Sequence, residues 1–200
     1  MVIHRLVHWL PILLIPLVST TLLMCWPQSI DSALAYQSDR PLVSQLWVLL
    51  SAPLLHTNLY HLIMNLAAYV FLCAFNEGSL KGWRIVAVTL LMGAVSTAYF
   101  ACLNDSLTSL VGLSGALHGC MVYLAIREFR SAPLIMSTLL VGICIKIGWE
   151  LFNGGSAVSA HLIDATVAVQ AHVGGALGGL ITALCVGYVK RSDNHVLPEQ

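Results

Sequence analysis

Residues 112 to 119 read GLSGALHG: a serine flanked by glycines, followed one helical turn later by a histidine. A serine hydroxyl becomes a nucleophile when a base takes its proton, and a histidine can be that base. Acyl transfer also needs hydrogen-bond donors where the carbonyl oxygen turns negative. The sequence offers candidates for each part. Ser114 is the candidate nucleophile and His172, in AHVGGALGG, the candidate base. His61 and Asn65, at i and i+4 in HTNLYHLIMN, are the candidate oxyanion donors. No acid is spaced to orient His172, so the expectation is a serine–histidine dyad.

These polar residues sit in a very apolar chain. Of 200 residues, 58% are hydrophobic and 9% charged, and the mean hydropathy is +0.84. Soluble domains carry about a quarter charged residues, so the surface of this chain must face lipid. The net charge of zero leaves no basic face for nucleic acid. Its six cysteines, Cys25, Cys73, Cys102, Cys120, Cys144 and Cys185, lie within or beside apolar runs without C-x-x-C spacing. They read as small packing residues rather than disulfides or metal ligands. No H-E-x-x-H occurs, and neither a metal nor a cofactor is expected.

A membrane helix needs about 20 mostly apolar residues. Six segments suggest themselves: 6–26, 59–75, 83–103, 112–127, 133–151 and 167–189. The expected fold is therefore all-α, a polytopic bundle of six transmembrane helices forming one membrane domain over 1–200. The first segment is too long for a signal-peptide core of roughly 7–15 residues. Basic residues favour the cytoplasmic side. With a cytoplasmic N-terminus, Arg5, Lys81, Arg84, Arg127, Arg130, Lys190 and Arg191 fall inside and only Arg40 outside. Asp31, Asp39, Asp105 and Asp164 then lie on the outer side. The outer stretch 27–58 contains PLVSQLWVLLSAPLLH, apolar enough to sink into the outer leaflet or pack on the helices.

In this topology the second, fourth and sixth segments all begin at the outer face. Ser114 and His172 then share a depth several ångströms below that surface. The fourth segment, about 16 residues or about 24 Å long, is shorter than the ~30 Å hydrocarbon core. Its N-terminus is expected to be submerged, bringing free N–H groups and a positive dipole end to Ser114. Gly112, Gly115 and Gly119 are assigned to one face of the fourth segment, and Gly175 and Gly179 to the face of His172. Small residues so spaced let two helix backbones approach closely. Each feature alone has a plain packing explanation; their conjunction points to a catalytic site.

The stretches LWVLLSAPLLHTNLYHLIMN, GLSGALHG and AHVGGALGG resemble, in this order, the rhomboid family of intramembrane serine proteases. The resemblance covers most of residues 45 to 189. It implies Ser114 as nucleophile, His172 as base, His61 and Asn65 as the oxyanion pair, and His56 as the histidine often found upstream. It also implies that Gly112 and Gly115 complete the serine motif and that Gly175 and Gly179 pack the helices. Two departures stand out. Trp47-Val48 replaces a common Trp-Arg, and His118 replaces a tyrosine that commonly packs on the catalytic histidine. With its compact length, the chain looks most like the rhombosortase branch. That branch implies residence in a bacterial inner membrane, both termini cytoplasmic, and a site opening to the periplasm. It also implies a role in protein sorting, on membrane-anchored substrates with a C-terminal Gly-Gly, an apolar helix and a basic tail.

Lys146 and Glu150 are spaced i, i+4, so they are expected to pair. The alternative gives Glu150, with its neighbour Trp149, a part in gating or recognising substrate. His118 is a candidate for shaping the pocket, and His161 lies in an outer loop that could act as a lid. Two other readings of the whole chain are a catalytically silent, client-binding relative and a small transporter with a histidine-lined path.

Overall fold

The structure, a computed structural model, describes residues 10–25, 32–76, 78–103 and 107–195, with side chains as far as Val186. Arg5, Asp31, Asp105 and the ends of the first segment lie outside the described residues. Eight α-helices are present among them: α1 (Leu14–Cys25, led in by a 3-10 turn over Leu10–Leu13), α2 (Val48–Ser51), α3 (Leu59–Ala74), α4 (Trp83–Cys102), α5 (Ser114–Arg127), α6 (Pro133–Asn153), α7 (Ala157–Ile163) and α8 (Val169–His195). Within the described residues, helix occupies most of each of the six apolar segments. Three helices, α4, α6 and α8 over Val169–Val186, are long and apolar enough to cross a membrane. A fourth span results if Val48–Leu54 and α3, bent by 99° at their junction, count as one.

The centre of the bundle is α5. Gly115, Ala116, Leu117, Gly119, Cys120 and Val122 through Ala125 are all buried, and a helix apolar all round belongs inside. Its 14 residues make it about 21 Å long, too short to cross a bilayer alone. It packs against α3, α4, α6 and α8, and most extensively against α8. Tyr69, Leu72, Ile85, Met92, Leu113 and Leu124 form the main apolar core around it.

The stretch that precedes α3 is folded onto the helices. Val48 and Ala52 are completely buried beside Phe100 and Ala171, while Trp47 and Leu50 face outward. Gln45 acts as a backbone substitute: its amide donates to the carbonyls of Gln37 and Arg40 and accepts from Gln37 N–H. The all-α expectation needs one small correction. Tyr36–Gln37 (β1) pairs antiparallel with Ser109–Leu110 (β2), joining this stretch to the segment leading into α5.

Asn58 starts α3, its side chain accepting from His61 N–H at 2.9 Å. That cap fixes the first turn, on which His61 stands. At the other end of the bundle, Glu128, just past α5, accepts from Ser79 N–H at 2.6 Å and ties down the α3–α4 loop.

Candidate active site

The α5–α8 seam is set by glycine. A methyl group added at Gly175 would overlap the Gly115 carbonyl oxygen, and one at Gly179 would overlap the Gly119 carbonyl oxygen. One at Gly119 would lie 2.6 Å from Gly175 O. Two backbones therefore lie in direct contact, as small-residue spacing permits. Gly115 is hemmed in on its other side by Ser96 of α4, a buried serine the sequence reading passed over. Gly112 departs from expectation. It precedes α5 with φ +118°, and its Cα faces His61, not α8. A methyl there would lie 2.6 Å from His61 Nε2, so both backbone angle and space exclude a side chain.

The seam brings Ser114 at the start of α5 to His172 in α8, with Oγ 2.9 Å from Nε2. The other ring nitrogen, Nδ1, lies 2.8 Å from Glu150 Oε2. No acid was expected beside His172, yet one adjoins it, supplied by α6. The expected Lys146–Glu150 pair is also present, Nζ donating to Oε1 at 2.6 Å, so the carboxylate serves both partners. Glu150 was visible as an isolated acid in an apolar helix; its partner across the bundle depends on how α6 is rotated.

His118 lies flat against His172, with ring centroids 4.2 Å apart and planes 19° apart. Its Nδ1 is 2.7 Å from Ser114 O. A carbonyl only accepts, so Nδ1 carries the proton of that bond. The group thus braces the nucleophile's backbone and the base's ring together.

His61 and Asn65, both buried, line the same cavity as Ser114 and His172. Asn65 Nδ2 is a buried donor with no hydrogen-bond partner among the described residues. A buried orphan donor is costly, and one beside a candidate nucleophile fits a group that appears only during reaction. His61 is held by Thr57, whose hydroxyl and N–H lie 3.1 Å and 3.4 Å from Nδ1. His56 stands behind it in an edge-to-face contact, centroids 4.9 Å apart, and does not line the cavity. Among the described residues no side chain caps α5, which begins at Ser114, so the uncapped first turn adjoins the nucleophile.

The cavity has a volume of about 810 Å³ and runs between α3 and α6. Met64, Phe71, Leu134, Leu139 and Gly142 form much of its apolar wall. A second cavity of about 50 Å³ also reaches Ser114 and His172, bordered by Thr57, Ser109 and Thr166. Trp149 lies outside both and is half exposed, because the next helical position points away from Glu150. His161 is exposed on α7. That helix is fastened to the start of α3, with Thr57 Oγ1 donating to Ile163 O and Asn58 Nδ2 to Leu162 O.

Ligand atoms of His118, Glu150 and His172 lie within 4.8 Å of one another, near enough to consider a metal ion. The two imidazole rings are stacked, however, so their in-plane lone pairs run side by side instead of converging. Glu150 is already engaged by His172 and Lys146. The cluster is therefore better accounted for by its internal hydrogen bonds than as a ligand set.

Helices long and apolar enough to cross a bilayer, together with the family match that follows, make this an integral membrane protein. The Rhomboid domain matches residues 43–189, so the chain belongs to the rhomboid family. Rhomboids are intramembrane serine proteases acting on transmembrane substrates, although some members are inactive. No curated protein matches the chain.

Proposed function

We propose that this chain is an active intramembrane serine endopeptidase in which Ser114 is the nucleophile and His172 its base. The observation that carries the reading is the 2.9 Å contact between Ser114 Oγ and His172 Nε2, made across a seam of touching backbones. The hydroxyl proton passes to Nε2 as Oγ bonds to the substrate carbonyl carbon. Negative charge moves onto the carbonyl oxygen, where Asn65 Nδ2, His61 and the α5 N-terminus supply stabilisation. Collapse breaks the C–N bond, and His172 returns the proton to the leaving amine. The acyl-enzyme then passes to water, for which the 50 Å³ cavity has room, or to an amine nucleophile.

The substrate is a membrane-anchored protein whose helix reaches Ser114 through the α3–α6 cavity. We assign the rhombosortase-like specificity for a C-terminal Gly-Gly, apolar helix and basic tail. Physical support comes from the scissile segment itself. Each glycine costs a helix about 1 kcal/mol relative to alanine, so a Gly-Gly pair unwinds readily and exposes its peptide bond. The role is removal of such a tail anchor from exported proteins. The protein would sit as one rhomboid-like domain with six spans in a bacterial inner membrane, termini cytoplasmic and site facing the periplasm, as the basic-residue distribution favours.

The test is cleavage, in cells, of a reporter ending in Gly-Gly, an apolar helix and a basic tail, beside the same reporter with Leu-Leu. Cleavage of the first by wild type, and by neither Ser114→Ala nor His172→Ala at equal protein level, is expected. Equal processing of both reporters removes the Gly-Gly specificity. Processing that survives Ser114→Ala removes the nucleophile assignment.

A further inference from the structure

We infer that Glu150 is the positioning residue for His172 and that Lys146 tunes it, making a chain Ser114–His172–Glu150–Lys146 across three helices. The proposal rests on the reading of Ser114 and His172 as nucleophile and base. Its warrant is geometric. Consecutive contacts of 2.9, 2.8 and 2.6 Å link the four side chains. A carboxylate only accepts, so Glu150 obliges His172 to carry its proton on Nδ1. That leaves the lone pair of Nε2 facing Ser114 Oγ, the tautomer a general base needs. Without the carboxylate, nothing else among the described residues selects that tautomer. His118 stacks on the ring face and reaches neither nitrogen by a hydrogen bond.

Glu150 has a second effect. When Ser114 gives up its proton, His172 becomes an imidazolium, and the adjacent carboxylate stabilises that cation. Lys146 opposes part of this. Its ammonium, on the half-exposed side of α6, shares the carboxylate and offsets its charge. Lys146 thereby limits how strongly Glu150 holds the proton on His172. The other titratable groups near His172 are His118 from α5 and His61 from α3, and among the described residues no further acid lines the cavity.

The two charges therefore have opposite effects, which a purely structural pair would not produce. In Glu150→Gln the loss of the anion disfavours the imidazolium, and the activity lost on acidification persists to lower pH. In Lys146→Met the unopposed anion favours it, and that loss begins at higher pH.

The experiment is the rate at which a fluorophosphonate, a small serine-reactive reagent, labels Ser114 in purified detergent-solubilised protein across pH. Wild type should label, with Ser114→Ala and His172→Ala silent; labelling of either variant at the wild-type rate would overturn the underlying nucleophile–base reading. Given that control, Glu150→Gln should slow labelling about 100-fold or more and move the acid limb down. Glu150→Asp should recover part of the rate, and Lys146→Met should move the acid limb up. Wild-type rates and limbs in Glu150→Gln and Lys146→Met would leave the dyad intact and overturn the chain. If Glu150→Gln does not fold, Lys146→Met decides alone, an unmoved limb counting against the proposal.

Discussion

At Gly175 in the α5–α8 seam, an added methyl would overlap the Gly115 carbonyl; at Gly142 or Gly148 on α6 it would meet nothing within 4 Å. Burial follows the same division. In the apolar window of α6 17% of residues are buried, against 39% in α8 and 44% in α4. One side of the site is closed down to backbone contact, and the other is left open as an 810 Å³ cavity. A nucleophile and its base must be held to a few tenths of an ångström, whereas a substrate helix must enter and leave. The molecule separates these demands by helix, with Ser114 and His172 on the closed side. Glu150 is the exception, because it reaches His172 from the loose helix.

The largest expected effect comes from breaking the closed side. Gly175→Val should destabilise the fold by about 3 kcal/mol or more, beyond ordinary overpacking because backbone lies on both sides. Thermal unfolding in detergent should register this, and Ser114 labelling should be lost with it. The matched change on the open side, Gly142→Ala, should shift stability by no more than about 0.5 kcal/mol.

Next in size is the oxyanion donor. Asn65→Ala should lower kcat about 10²- to 10³-fold while leaving thermal stability unchanged or raised, because the amide it removes is an unpartnered buried donor. A stability loss matching the activity loss would instead make Asn65 a packing residue.

Filling the open side should give a smaller and different effect. Leu139→Trp narrows the cavity away from Ser114. It should raise KM for a transmembrane substrate several-fold without slowing fluorophosphonate labelling. Equal slowing of both would mean that the cavity is not the substrate's path.

The smallest effect on the site belongs to the far end of α5. Burial pushes the Glu128 carboxyl up, but hydrogen bonds from Ser79 and Ser131 outweigh it and hold the group below its ordinary value of 4.5. A carboxylate depressed on folding stabilises the protein above its unfolded-state value and loses that contribution as pH falls through the depressed one. Glu128→Gln should therefore cost about 1 kcal/mol at neutral pH and flatten the fall in melting temperature below about pH 4.5. It should leave labelling of Ser114 at neutral pH untouched.

What was legible in the sequence follows the same division between the two sides. The seam could be read because glycine spacing and helical period limit which backbones can touch; Ser114 and His172 were singled out by residue type, and the seam supplied the reason for them to meet. Gly112 was misassigned because a residue at a helix entrance obeys loop geometry, not the helical period. Hydropathy made the apolar helices legible as a class, because a run of apolar residues in a chain this poor in charge has few other uses. The β1–β2 pairing was not, since two-residue strands leave no alternation to detect. Glu150 marks the limit. An acid at i+4 from a lysine has a sufficient local explanation, and only the rotation of α6 shows that its second oxygen faces His172.

The measurement that tests the account most directly is cleavage of a transmembrane reporter by the purified protein in lipid vesicles, with the cut mapped by mass spectrometry. The account predicts a single cut within the membrane-embedded segment by wild type and none by Ser114→Ala with an unchanged melting temperature. A folded Ser114→Ala protein that makes the same cut would contradict it.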